Sequence, residues 1–528
     1  MLTLHDTIDA TRAAFRWQIP DRCNIGVDCC DRVAALTPDA PAIIDATDGR
    51  ITTFAGLRAL SNRLANALSA LASPGDRVGV LLPQRVETAA AHVAITKMGA
   101  ISIPLFKLFG PDALRHRLGA AGAKVVITDA AGAATLAGLR GDLPDLVRVV
   151  SVDDDFAAFV ADQPEDFTPH DTGPDDPAIL IFTSGTTGPP KGALHGHRVL
   201  WGHLPGVEMS HDGFPQPGDR IWTPADWAWI GGLLDVLLPA LHHGVPVVAS
   251  RFERFTAEAA FDLIRTHGVR NTFLPPTALK MMRAMDDPPT TALRSVASGG
   301  ETLGVSLIDW GQRGLGCTIN EFYGQTECNM IVSSCAALAP AEPGVMGFPV
   351  PGHDVQVIDE AGIPCIVGQE GDIAVRAPDP VMFLRYWNDP AATAAKFRGD
   401  WLVTGDRGML TDTGRIRFRG RADDVITSAG YRIGPAEIED CLLTHPAVRM
   451  AGVVGQPDDL RGEVIVAFVQ LAEGHAASDA LAKELSDHVR ARLAAHEAPR
   501  HVRFVEALPL TTTGKLIRAD LRKLCAAS

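Results

Sequence analysis

Between Pro41 and Ser250 short apolar runs alternate with amphipathic stretches of helical period. RVGVLLP (Arg77 to Pro83) reads as a strand, VETAAAHVAITKMGA as a helix and ISIPL as the next strand; a second helix then leads to AKVVITD (Ala123 to Asp129). Strand, helix, strand at this spacing predicts parallel βαβ units and an α/β class. The segment from Ile221 to Ala249 repeats the habit. After about Gly344 the strands become shorter and turn-rich, as in DVQVID and GDIAVRA, which predicts a β-barrel-like subdomain. Past GRADDV (Gly420 to Val425) a helix opens at Gly434-Pro435, where proline suits the first turn. Two strands follow (VRMAGVVG and EVIVAFVQL), then a helix over Asp479 to Ala495 and a last strand near Val502. The expected organisation is a large N-terminal domain, residues 1–422, of stacked βαβ-type subdomains plus the barrel-like part, and a small α+β C-terminal domain, residues 423–528.

Composition narrows the partners. With 46% hydrophobic and 21% charged residues the chain is globular rather than disordered. Its formal charge of -15, from 63 acidic against 48 basic residues, repels nucleic acid and anionic lipid. An anionic nucleotide therefore needs a local cradle of Lys, Arg and backbone N–H groups. The 9 cysteines form no CxxC pair or Cys/His ligand spacing, which argues against structural zinc and against a disulfide framework. Cys29 and Cys30 are expected to be packing residues. The first residues, MLTLHDTIDATRAAFRW, carry early acids and no apolar core, and no apolar run elsewhere approaches the roughly 20 residues of a membrane span. A soluble cytoplasmic protein without membrane insertion is expected.

In DDPAILIFTSGTTGPPKGALHGH an apolar strand runs into a Gly/Ser/Thr-rich loop, Thr183 to Gly192. Gly185 and Gly188 allow close backbone approach, Thr183, Ser184, Thr186 and Thr187 offer hydroxyls, and Lys191 offers charge, a set that suits a polyphosphate. No GxxxxGK[ST] can be threaded through it, so it is not a Walker A loop. By composition alone a plain turn would also serve.

TSGTTGPPKG resembles the signature phosphate loop of the adenylate-forming superfamily, which comprises acyl-CoA synthetases, luciferases and adenylation domains. Further motifs follow in family order over nearly the entire chain. ASGGETL (Ala297 to Leu303) is similar to the adenine-binding turn, which implies that Gly299, Gly300 and Glu301 border the nucleotide. In NEFYGQTE the resemblance implies that Tyr323 stacks on adenine, Gln325 contacts its edge, Thr326 touches the α-phosphate and Glu327 holds magnesium, a hard cation that favours carboxylate oxygen. In WLVTGDRG, Asp406 matches the ribose-binding carboxylate. In GRADDVITSAGYRIGPAEIE the guanidinium groups of Arg421 and Arg432 are expected near ribose and phosphate, and Asp423 falls at the hinge of a mobile C-terminal domain. Family members commonly carry Lys where this chain has Thr427, so no cation is expected to act there. The SAGYRI wording is closest to the medium-chain acyl-CoA synthetase branch. LPLTTTGKLIR presents Lys515 as the catalytic lysine, a compact charge between the incoming carboxylate and the α-phosphate.

The resemblance implies an ATP-dependent, AMP-forming carboxylate–CoA ligase that uses ATP, Mg2+ and coenzyme A, with Lys515, Thr326 and Glu327 as catalytic residues. Rotation about Asp423 would exchange Lys515 for the turn Ser428 to Arg432, whose Gly430 would border the CoA thiol. Acetate-activating relatives place Trp before the Gln of the QTE motif, whereas this chain has Gly324, so a deeper acyl pocket is expected. Trp227 and Trp229 in PADWAWIGG supply either pocket wall or core. The expected substrate is a short- to medium-chain, branched or aryl acid. Partners are then small molecules, and a homo-oligomer is compatible with them. The alternative is an adenylation enzyme loading a carrier-protein phosphopantetheine; the SAGYRI wording and the lack of a downstream carrier domain place it second. A regulator that binds adenylate without turnover is opposed by the joint presence of Lys515, Glu327 and Asp406.

Overall fold

The computed structural model of the chain describes residues 1–526 apart from 184–189, 253, 302, 343, 422, 423, 425, 429, 430, 459–461, 494–496, 512 and 513. Two compact units emerge: Met1–Val355 with Val375–Leu402, and Gln356–Ala374 with Val403–Ser528.

The first unit holds two sheets that follow from the alternation seen in the sequence. One is seven-stranded among the described residues, in the order Arg385–Tyr386, Lys191–Gly196, Pro177–Thr183, Ile101–Pro104, Arg77–Leu81, Val125–Thr128, Arg148–Ser151. Its inner pairs are parallel, and only the two pairings of Lys191–Gly196 are antiparallel. The helix Val86–Lys97 connects two parallel strands and is buried from Thr88 to Lys97. Its small, Ala-rich sequence lacks a polar face, so it can be covered on all sides. The other sheet, nine-stranded among the described residues, is likewise parallel at its centre, with Ser295–Gly299 between Ile319–Gln325 and Asn271–Phe273. Cys29 and Cys30 are fully buried in its core, as expected of packing residues.

The second unit contains an antiparallel pair, Val448–Asp458 with Gly462–Leu471, and His501–Phe504 runs parallel to the latter. Adjacent residues of a strand face opposite sides. Val453, Ile465 and Ala467 accordingly join a cluster with Ile438 and Leu442 of the helix Pro435–Leu443 and with Leu485 and Val489 of the helix Asp479–Arg492. Val454, Val466 and Phe468 join Leu521 of the helix Arg518–Ala526. Both faces are thereby covered, which explains why these strands read as continuous apolar runs. Ahead of them, Trp401–Leu410 pairs antiparallel with Ile416–Arg421. Among the described residues no helix is long and apolar enough to cross a membrane.

One buried charge anchors the first unit. Lys97 Nζ, fully out of water, donates to Ser61 Oγ at 2.9 Å and Asn62 Oδ1 at 2.7 Å and lies 2.6 Å from Asp31 Oδ1. The Asp31 contact is one of charge, its angle falling outside hydrogen-bond geometry. Removing one partner of a buried pair strands the other charge, at a cost of about 3–5 kcal/mol where that charge is fully buried; Lys97 is 0% exposed and Asp31 18%, so stranding the lysine costs more than stranding the carboxylate. Urea unfolding should therefore show a larger loss of stability for Asp31→Ala than for Lys97→Met; the opposite order would contradict an ionic anchor.

Candidate functional site

The Gly/Ser/Thr loop is shorter than its sequence implied, because both ends belong to strands. Thr183 closes Pro177–Thr183, Lys191 opens Lys191–Gly196, and the two residues face each other in register. Ser184, Gly185, Thr186 and Thr187 lie outside the described residues. The lysine thus stands at the mouth of the loop. His116 Nε2 lies 3.0 Å from the Pro190 carbonyl, tying the loop's last residue to the helix Pro111–Ala121.

Glu327 sits two residues past the strand Ile319–Gln325 and is 7% exposed. The Tyr386 hydroxyl donates to its Oε1. Tyr386 belongs to Arg385–Tyr386, which pairs with the strand that Lys191 begins, and Lys191 Nζ lies 5.5 Å from the centre of the Tyr386 ring. Burial first, and then the Glu327 carboxylate, pushes the Tyr386 phenol well above its usual range, so it remains a donor. One aromatic side chain therefore gathers the cation of the loop and the carboxylate of the QTE motif into one place. Sequence reasoning missed Tyr386. Its only local signal is its position just before Asn388-Asp389-Pro390, where the Asp389 side chain caps the helix Pro390–Ala395. Oxygen ligands suit Mg2+, and Glu327 Oε2 accepts no hydrogen bond among the described residues, so the carboxylate fits a hard cation.

The residues expected at the adenine turn belong to the same unit. Gly299 ends the strand Ser295–Gly299, and a Cβ on it would fall 2.6 Å from the Phe322 ring, so only glycine fits there. Gly300 has φ +93° and is exposed, Glu301 is half-buried, and Tyr323, Gln325 and Thr326 are half-buried at the end of the neighbouring strand. Lys396 Nζ donates to Gln325 Oε1 at 2.8 Å, a second contact the sequence did not reveal.

The tryptophan pair divides. Trp227 is fully buried in the core, whereas Trp229 is half-buried and lies against Phe273 at 5.5 Å between ring centres, with Phe322 a further 5.2 Å on. Gly231 opens this aromatic row, since a Cβ there would come within 3.0 Å of both Phe273 and Trp229. Gly324 has a structural reason of its own. At the irregularity between Tyr323 and Gln325 a Cβ would lie 2.4 Å from Met330 N and 2.6 Å from Asn329 Cα, so any side chain there requires the backbone to shift.

In the second unit, Asp406 is buried and stands opposite exposed Arg421 across the Trp401–Leu410 and Ile416–Arg421 strands. Arg432 lies in the strand Tyr431–Ile433, in register with Thr427. Asp423 and Gly430 lie outside the described residues. Lys515 is half-buried in a tight turn: its N–H donates to Thr511 Oγ1 at 3.0 Å, its carbonyl accepts from Thr511 N at 2.7 Å, and Gly514 takes φ +86°.

The chain is similar to known proteins over most of its length. The family model for the AMP-binding enzyme matches residues 30–387, and that for the AMP-binding enzyme C-terminal domain matches residues 437–515. An uncharacterized acyl–CoA ligase, YtcI, of Bacillus subtilis (strain 168) is 34% identical, over 88% of this chain and 88% of its own. The mitochondrial acyl-coenzyme A synthetase ACSM4 of Homo sapiens is 35% identical, over 89% of this chain and 83% of its own. Among solved structures, the anthranilate CoA ligase AuaEII in complex with anthranoyl-AMP superposes with a TM-score of 0.88 at 27% identity, covering 97% of this chain and 99% of that one.

Because Glu327 is buried, loss of the donor on its Oε1 should cost about 1–3 kcal/mol. Tyr386→Phe is expected to lower the urea midpoint accordingly while leaving the fold intact by circular dichroism. An unchanged midpoint would mean that Tyr386 does not hold the carboxylate.

Proposed function

Because the chain belongs to the AMP-binding enzyme family and is an AMP-forming acid–CoA ligase, we propose that it activates a short- to medium-chain, branched or aryl carboxylic acid at a nucleotide site built around Lys191 and Glu327. The acid's carboxylate attacks the α-phosphorus of ATP and pyrophosphate leaves; the CoA thiol then displaces AMP from the acyl-adenylate. Neither half needs a protein nucleophile, so the residues act through position and charge. Thr183, Lys191 and the loop residues Ser184 to Thr187 hold phosphate oxygens, and Thr326 touches the α-phosphate. Gly299, Gly300 and Glu301 border adenine, Tyr323 stacks on it and Gln325 meets its edge. Asp406 accepts from the ribose hydroxyls, with Arg421 and Arg432 nearby. Glu327 would hold Mg2+, which would supply positive charge against the phosphates of ATP. Lys515 stabilises charge in the first half only. Residues 423–528 then turn about Asp423, withdrawing Lys515 and bringing the segment from Ser428 to Arg432, with Gly430, beside the thiol. A cytoplasmic location completes the reading.

The observation that carries this assignment is the convergence of Lys191 and Glu327 on Tyr386. The aromatic row of Trp229, Phe273 and Phe322, packed against Gly231 and Gly299, supports an apolar acyl site, and likeness to an anthranilate ligase supports an aryl acid.

An AMP-release screen with CoA over acetate to octanoate, branched acids and benzoate should show acid-dependent pyrophosphate formation with consumption of CoA, and acetate should be a poor substrate. Pyrophosphate without CoA consumption would favour loading of a carrier protein. Lys515→Ala should lower adenylation roughly a hundred- to a thousandfold while thioester formation from supplied acyl-adenylate stays within about threefold. Equal loss in both halves would sink the two-state cycle.

A further inference from the structure

Close to Gly231 and Gly324, two glycines of the acyl site proposed above, lie polar groups that the reaction does not use. Asp235, in the π-helical segment Leu233–Leu237, follows Gly231 by four residues, roughly one turn along the helix. Its Oδ1 accepts from Asn329 Nδ2 at 2.6 Å, and Asn329 Cα is the atom that a side chain on Gly324 would strike. Two glycines of the acyl region, on different elements, therefore adjoin the same Asp235–Asn329 pair. The pair is sealed from water, yet it is incomplete. Asp235 Oδ2 is buried with no hydrogen-bond partner among the described residues, and so is Nε2 of His203, which stands 3.9 Å from Asp235 Oδ1. Both side chains are at most 2% exposed.

The chemistry of these free atoms is specific. His203 Nδ1 lies 2.7 Å from the Val199 carbonyl, which can only accept, so Nδ1 carries the hydrogen and Nε2 presents a bare lone pair. Burial lowers the imidazole to about 4, so it is neutral near pH 7, and burial likewise pushes the Asp235 carboxyl well above its usual range, toward the protonated form. With Oδ1 accepting from Asn329, a proton held by the Asp235 carboxyl resides on Oδ2 as a donor. A donor and an acceptor side by side match a hydroxyl, which accepts from one and donates to the other. A protonated carboxyl suits an ammonium poorly, because it carries no negative charge, and a methyl would leave both atoms unsatisfied.

We propose that Asp235, with Asn329 and His203, forms a polar end wall of the acyl pocket that selects a carboxylic acid bearing a hydroxyl at its far end. The inference rests on the acid–CoA ligase reading of the same site. A site built to bond a hydroxyl discriminates strongly against the analogue that lacks one, because its own polar groups are left unpaired.

The test uses the full chain with ATP, Mg2+ and CoA, comparing straight acids from butanoate to octanoate with their terminally hydroxylated counterparts by AMP release. At one chain length the hydroxy acid should exceed the plain acid in kcat/KM by roughly tenfold or more, and Asp235→Leu should reverse that ratio while still turning over the plain acid. Asp235→Asn, which keeps a donor and an acceptor, should retain part of the preference. Preference for the plain acid at every length would overturn the proposal and would mean that a resident water satisfies the pair; so would a hydroxy preference that Asp235→Leu leaves unchanged. In either case turnover of plain acids leaves the ligase reading standing, whereas AMP release from no acid removes both. The comparison of the two acid series on the unsubstituted protein decides the matter even where the leucine variant does not fold.

Discussion

A carboxylate held out of water beside a cation needs a donor of its own, and in this protein Tyr386 is that donor. Its hydroxyl binds Glu327 and its ring lies under Lys191, so one side chain links the end of the Gly/Ser/Thr loop to the end of the QTE strand. The linkage is possible because Arg385–Tyr386 adds an edge to the strand that Lys191 begins. In a chain of net charge -15 an anionic nucleotide has no general attraction to exploit. A local arrangement of this kind is what makes binding feasible.

Much of this was legible in the sequence where periodicity is long. The βαβ units of the first unit and the helices and strands past Gly434 appear nearly where apolar runs and helical period place them, since both faces of those strands are covered and leave continuous hydrophobic runs. Short antiparallel returns were not legible. Lys191–Gly196 is partly hidden in what reads as loop, and Arg385–Tyr386 spans two residues, too few for any pattern. Tyr386 and Lys396 therefore could not be found, because their partners are distant in sequence and only folding brings them together. The tryptophans of PADWAWIGG were ambiguous for a similar reason: which of two aromatics is core depends on neighbours, and here Trp227 is the core residue.

Gly324 shows how one residue can answer to two constraints. By analogy with relatives its lack of a side chain signals room for the acid. In the structure the same lack is also demanded by the backbone of Asn329 and Met330. Small residues at Gly231, Gly299 and Gly324 let aromatic rings and strands approach closely, and what lies past two of them is a buried polar pair rather than more hydrocarbon. An interior polar group without a full set of partners costs free energy, so such a pair is informative about what else enters the site.

The central claim is that Lys191 and Glu327 serve one nucleotide. Calorimetric titration of a non-hydrolysable ATP analogue with Mg2+ into the full chain, into Lys191→Met, into Glu327→Gln and into the double variant measures this directly. A shared ligand predicts a coupling between the two substitutions of about 1 kcal/mol or more, whereas additivity within about 0.5 kcal/mol, as for independent distant sites, would contradict it.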